Sequence, residues 1–327
     1  MTDKSWNNMS SEGEQKYIDD SWPEWGVQYH WSGGKVVERR ETAKGTVLEM
    51  VHRPQWGLAC YMNGEIQSGV VDERMYHEAL VHPAMVHTLS PRRVLVIGGG
   101  EGATVREVLK WPSVERVDMY EWDPEVVDCF RSHYPQWADG AWDDPRLAIH
   151  YEDIFSVIQQ GIYPPVPYDV IVIDLFEPGS DSRMWSLFSR LASNWLSEQG
   201  AMVMYAGIRN HFRDIHPAEE WLDSSRIQEY EQEHISINNI LAGRNVFSYK
   251  VFLPSFLGES MFLLITYANQ VPQWSSLTHS MVHPNPPING ILSHLTSEVW
   301  ASYHTWNQYH FLGANTVADT EGVFHGV

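Results

Sequence analysis

The stretch Arg93–Gly100, RVLVIGGG, constrains the fold most. An unbroken apolar run of this length reads as a strand buried on both faces, the kind found in parallel sheets covered by helices. The glycines that end it let the backbone turn sharply and pass close to a ligand. The pattern then repeats. RVDMYEWD, RLAIHYED, YDVIVIDLF and GAMVMYAG read as four further strands, with helices expected at residues 104–110, 125–133 and 184–196. Strands alternating with helices imply an α/β chain with a parallel, doubly wound, Rossmann-like sheet. Ligands of such sheets sit beyond the carboxyl ends of the strands.

The chain before this sheet has a different texture. Residues 35–69 carry short β-branched and aromatic runs between Gly and Asn turns, and Asn63-Gly64 is a strong hairpin signal. A small antiparallel β domain is expected there. Residues 72–87 read as a helix that Pro83 should kink or end. The expected division is residues 1–85 for the β domain with its helix, and 86–327 for the sheet domain with a C-terminal extension. In that extension a helix is expected over residues 213–239, then strands at NVFSYKVFLPSF and MFLLITYA, then a linker and a helical piece at 292–303. The first twenty residues read as loosely ordered.

Composition narrows the partners. A formal net charge of −20 repels phosphate backbones, so no nucleic-acid partner is expected. The same charge attracts small polycations, although acidity also serves solubility alone. Two cysteines, Cys60 and Cys129, without CxxC spacing, fit a reduced, cytoplasmic protein without a disulfide framework. The polar opening Met1–Asp20 does not read as a signal peptide, and no run is long enough to span a membrane.

The acids fall where the chemistry should be. The loop Gly98-Gly99-Gly100-Glu101-Gly102 is neither G-x-G-x-x-G in register nor a Walker loop, and alone it says little. Glu121, about twenty residues on at the end of the second strand, can accept both ribose hydroxyls. Asp153, after the third strand, can accept from an adenine amino group, or be an ordinary strand-end acid. Taken in order at three successive strand ends, these features indicate an adenosine site of the S-adenosylmethionine type. Asp174 and Glu177 follow the fourth strand; two acids in a cleft can bind ammonium groups or supply a base, and the alternative is a helix cap and a turn acid.

With these residues in place, the chain resembles the polyamine aminopropyltransferase, or spermidine synthase, family over roughly residues 45–270. GEIQSGVVDERMYHEALVHPAM carries the Gln-bearing hairpin and the following helix. Tyr76-His77-Glu78, GGGEG, DLFEP and LPSF resemble the thermospermine-forming members most. The resemblance implies that Gln67, Gly98, Gly100, Glu121 and Asp153 hold the donor, decarboxylated S-adenosylmethionine. It implies that Tyr76, His77, Glu101, Asp174 and Glu177 handle the amines, with Asp174 and Tyr76 assisting deprotonation. Glu101 would grip the ammonium of the aminopropyl arm and repel the carboxylate of intact S-adenosylmethionine. Tyr205, Phe256 and Trp25 are the expected walls for the acceptor. Phe176 is bulkier than the family pattern and Glu177 one methylene longer. The donor is a co-substrate; no permanently bound cofactor and no metal are expected. A homodimer or homotetramer is implied. The alternatives are transfer to putrescine, a methyltransferase on the same sheet, and a homologue without catalysis.

Overall fold

The computed structural model describes residues 17–22, 27–31, 33–54, 56–88, 90–176, 183–208 and 244–267, with 295–296, 299–300 and 302–303. A two-stranded hairpin, β1 (Tyr17–Trp22) with β2 (Val27–Trp31), precedes the expected β region. Four antiparallel strands then form a small sheet in chain order: β3 (Lys35–Glu41), β4 (Val47–Arg53), β5 (Gly57–Met62) and β6 (Glu65–Gly69). Met62 pairs with Glu65 across a two-residue turn, and Asn63 and Gly64 both take positive φ, 53° and 87°. Such a turn matches the twist of its strands only with residues that tolerate this conformation.

The larger sheet has seven strands in the order β12-β13-β11-β10-β7-β8-β9. These are β7 (Arg93–Gly98), β8 (Arg116–Tyr120), β9 (Leu147–His150), β10 (Tyr168–Asp174), β11 (Leu196–Ile208), β12 (Arg244–Leu253) and β13 (Gly258–Tyr267). All neighbours are parallel except β13, which runs against both β11 and β12. The order reverses between β7 and β10, so a crevice opens at their carboxyl ends. The helices are α1 (Glu73–His87), α2 (Ala103–Leu109), α3 (Pro124–His133), α4 (Ile154–Gln159) and α5 (Arg183–Arg190). Alternate residues of each buried strand face opposite layers. Val94, Val96, Val170 and Val172 join a core with α1, α2, α3 and the small sheet. Leu95, Ile97, Ile171 and Ile173 join a second core with α4 and α5.

Several expectations need correction. α4 was not expected, and β9 stops at His150 rather than running on to Asp153. The helix expected over 184–196 is α5 followed by a π turn at Leu191–Trp195. The expected helix over 213–239 and the linker lie outside the described residues. Most instructively, α1 runs unbroken past Pro83 to His87. Proline lacks the N–H that would bond the carbonyl four residues back, here Ala79. The hydroxyl of buried Tyr249, on β12, donates to that carbonyl at 2.7 Å. A Tyr249→Phe variant should therefore lose about 1–3 kcal/mol, the cost of an unsatisfied buried acceptor. In a Pro83→Ala background, where a helical N–H is restored, the loss should shrink. Urea unfolding of the four proteins checks this coupling; equal losses in both backgrounds would disprove it.

Candidate active site

The crevice is built by the loop after β7 and the end of β10, which pair in register at Gly98 and Asp174. Gly98 has φ +80°, and a Cβ there would lie 2.1 Å from the Asp174 carbonyl oxygen. A Cβ at Gly100 would lie 3.0 Å from Glu121 Oε2. Glycine at these positions lets the loop meet the β10 backbone and the Glu121 side chain. Asp174 is held from two sides. The Tyr76 hydroxyl donates to its Oδ1 at 3.0 Å, and the Thr104 hydroxyl to its Oδ2 at 2.5 Å. Each carboxylate oxygen keeps a second lone pair for an incoming N–H. Burial first, and the Asp174 charge second, push the Tyr76 phenol well above its ordinary range, so it stays a donor.

Aromatic rings surround Tyr76, the donor to this acid. Tyr76 has Tyr205 at 5.8 Å, Phe262 at 5.6 Å, Phe256 at 6.3 Å and the His77 ring at 5.0 Å between centroids. Tyr205 and Phe262 are cross-strand partners on β11 and β13. The turn carrying Phe256 is fixed by its own backbone: Ser255 N–H donates to Asp72 at 2.7 Å, just before α1. Acids beside aromatic faces suit a protonated amine with an apolar chain.

Glu101 and His77 lie deeper. Glu101 is 7% exposed and His77 0%, with His77 Nε2 2.7 Å from Glu101 Oε1. The two side chains are in direct polar contact. Burial raises the Glu101 pKa, and His77 opposes the rise. Glu121 is also buried, and accepts the Asp123 N–H at 3.0 Å. Burial pushes its carboxyl up to about 7 against the pull of the Asp123 and Trp122 N–H groups.

The remaining sequence-derived residues divide. Asp153 caps α4: its oxygens accept the Phe155 N–H at 3.0 Å and the Ser156 hydroxyl at 2.9 Å. Gln67 is exposed on β6, and its amide donates to the Glu65 carbonyl at 3.3 Å. Phe176 is 43% exposed and stacks on Phe155 at 6.3 Å. Trp25 and Glu177 lie outside the described residues. Sequence reasoning missed Thr104 and Phe262. The signal for Thr104 was its place in the first turn after the glycine loop; for Phe262 it was its register opposite Tyr205. Among the described residues, Glu38, Cys129 and His133 form a group with metal-ligand chemistry. Arg40 already lies 2.9 Å from that carboxylate and supplies the cation.

The Spermine/spermidine synthase domain family matches residues 73–218, which include most of these side chains. Polyamine aminopropyltransferase 2 of Pseudomonas aeruginosa is 35% identical over 275 residues, 82% of this chain and 72% of that protein. The chain belongs to the polyamine aminopropyltransferase family. Two archaeal members are similar over shorter spans. The Sulfurisphaera tokodaii polyamine aminopropyltransferase is 36% identical over 51% of this chain and 55% of its own length. Polyamine aminopropyltransferase 1 of Hyperthermus butylicus is 35% identical over 64% and 67%. This family member thus spans little more than half of some curated relatives. In fold it is similar to a spermidine synthase crystallised with the transition state analogue AdoDATO. The TM-score is 0.72 and the identity 21%, over 97% of this chain and 99% of that one. The Thermotoga maritima spermidine synthase superposes with a TM-score of 0.71 at 21% identity, over 96% and 99%. No helix among the described residues of this family member is long and apolar enough to cross a membrane.

Proposed function

We propose that the protein transfers the aminopropyl group of decarboxylated S-adenosylmethionine to a polyamine, making thermospermine from spermidine and releasing 5′-methylthioadenosine. The observation that carries the reading is Asp174, held by Tyr76 and Thr104 beside the rings that surround Tyr76, and close enough to Glu101 for its charge to act on that acid. An amine with an ordinary pKa near 10 is mostly protonated at neutral pH and must lose a proton before it attacks. Asp174 accepts an N–H of that amine, orients its lone pair and helps to take the proton. The nitrogen then attacks the methylene next to the sulfonium. The carbon–sulfur bond breaks, its electron pair stays on sulfur, and the positive charge passes to the new ammonium. Such a step asks the protein chiefly for alignment. Thermospermine as product is supported by the sequence type of Tyr76-His77, Glu101 and Leu253–Phe256. We place the working enzyme in the cytoplasm as a homodimer or homotetramer. Incubation with spermidine, followed by chromatography that separates spermine from thermospermine, should give thermospermine; spermine, or extension of putrescine only, would reject this acceptor assignment.

Glu121 gives the donor a pH dependence. Ribose hydroxyls donate, so they need the carboxylate form. With the Glu121 pKa raised to about 7, donor KM should fall as pH rises through that value. Folding has the opposite sign: the raised pKa favours the neutral acid, so ionising Glu121 costs stability above its unfolded pKa. Steady-state donor KM between pH 6 and 8 should show the step in the parent and lose it in Glu121→Gln.

A further inference from the structure

Of the three buried histidines on α1, His77 and His82 lie five residues apart and meet different partners. His82 Nδ1 faces the Trp111 indole N–H at 3.1 Å, a group that can only donate. That nitrogen therefore accepts, and Nε2 faces Glu107 at 3.0 Å. His77 meets only oxygens. Its Nδ1 lies 2.5 Å from the Glu73 carbonyl and 3.2 Å from Glu73 Oε2, and its Nε2 2.7 Å from Glu101.

We propose that His77 is a permanent imidazolium that keeps Glu101 ionised, a positioning residue acting through Glu101 rather than a group that touches the donor. The ring is 0% exposed, so it offers no surface to a substrate. It is the penultimate member of a buried chain of alternating charge: Lys110, Glu107, Arg106, Glu73, His77, Glu101. Arg74 also lies 3.6 Å from Glu73, and the charge of Asp174 reaches Glu101, so the chain ends at the site on two carboxylates suited to an ammonium. The charged and titratable groups around the His77–Glu101 pair are Glu73 and Tyr76 from α1, Arg106 from α2, Asp174 from β10 and Cys60 from β5. Burial alone would lower the His77 pKa; the hydrogen bonds and charges of Glu101 and Glu73 overcome it and carry it to about 10. Without that cation, the rise that burial and the charges of Asp174 and Glu73 give the Glu101 carboxyl loses the opposition of His77.

The test has two arms. In the resting protein labelled with ¹⁵N-histidine, the ring signals lost in His77→Gln should show both nitrogens protonated from pH 6 to 8. A neutral His77 at pH 7, accepting from a protonated Glu101, would overturn the inference whatever the protein catalyses. The second arm rests on the proposed reaction. In His77→Gln, donor KM at pH 7 should rise about tenfold or more with kcat little changed, since a neighbouring opposite charge shifts a carboxyl by one to three units. The ratio of variant to parent KM, which cancels the Glu121 titration, should close as pH rises. A ratio independent of pH, or a loss confined to kcat, would also overturn it. Absence of any transfer in the parent would reject the proposed reaction and leave the first arm standing.

Discussion

An Asp174→Asn variant is expected to lose about a hundred- to ten-thousandfold in kcat, the range set by a positioned acid–base group. The substitution keeps the size of the side chain, and Asn can still accept from Tyr76 or Thr104, whose hydroxyls lie 3.0 and 2.5 Å from the native oxygens. It cannot hold both donors and also take an amine proton. Donor KM should stay near that of the parent, because Glu101 and Glu121 are untouched. Raising the pH should recover part of the rate, since more acceptor amine is then free base. A kcat within tenfold of the parent, or a defect expressed only in donor KM, would remove Asp174 from the role given to it.

The second large effect concerns selection of the donor. Glu101→Gln should raise KM for decarboxylated S-adenosylmethionine by roughly two to three orders of magnitude, the cost of leaving a buried ammonium without its carboxylate. Discrimination should collapse at the same time. Intact S-adenosylmethionine carries a carboxylate at the end of its arm, which the parent would set against buried Glu101. With a neutral amide that repulsion is gone, and the intact compound should turn into a competitive inhibitor. Inhibition constants for both compounds on parent and variant measure the switch. Unchanged discrimination would mean that selectivity resides elsewhere.

The sheet was legible because each central strand is buried on both faces and therefore apolar throughout; Val94 to Ile97 and Val170 to Ile173 need no alternation. Asp174 was legible for a related reason, as the first acid after such a run. What was illegible depended on partners far along the chain. Nothing near Pro83 announces that Tyr249 will satisfy the Ala79 carbonyl. Asp153 reads as a strand-end acid, yet its oxygens serve the first turn of α4, a helix of six residues too short to show a period. His77 reads as a site residue only through the resemblance of Tyr76-His77-Glu78 to the thermospermine-forming members. Its burial between two carboxylates follows from α2 packing on α1, which places Arg106 against Glu73 at 2.9 Å. Phe262 enters the wall through strand register, a tertiary fact.

The most direct measurement of the whole account compares two donors in one assay. The protein is incubated with spermidine and either decarboxylated or methyl-labelled intact S-adenosylmethionine, and both nucleoside and amine products are identified by mass spectrometry. The account predicts 5′-methylthioadenosine and an amine heavier by one aminopropyl unit from the decarboxylated donor, with no turnover of the intact one. Labelled methyl appearing in the amine, with S-adenosylhomocysteine as the nucleoside product, would contradict it.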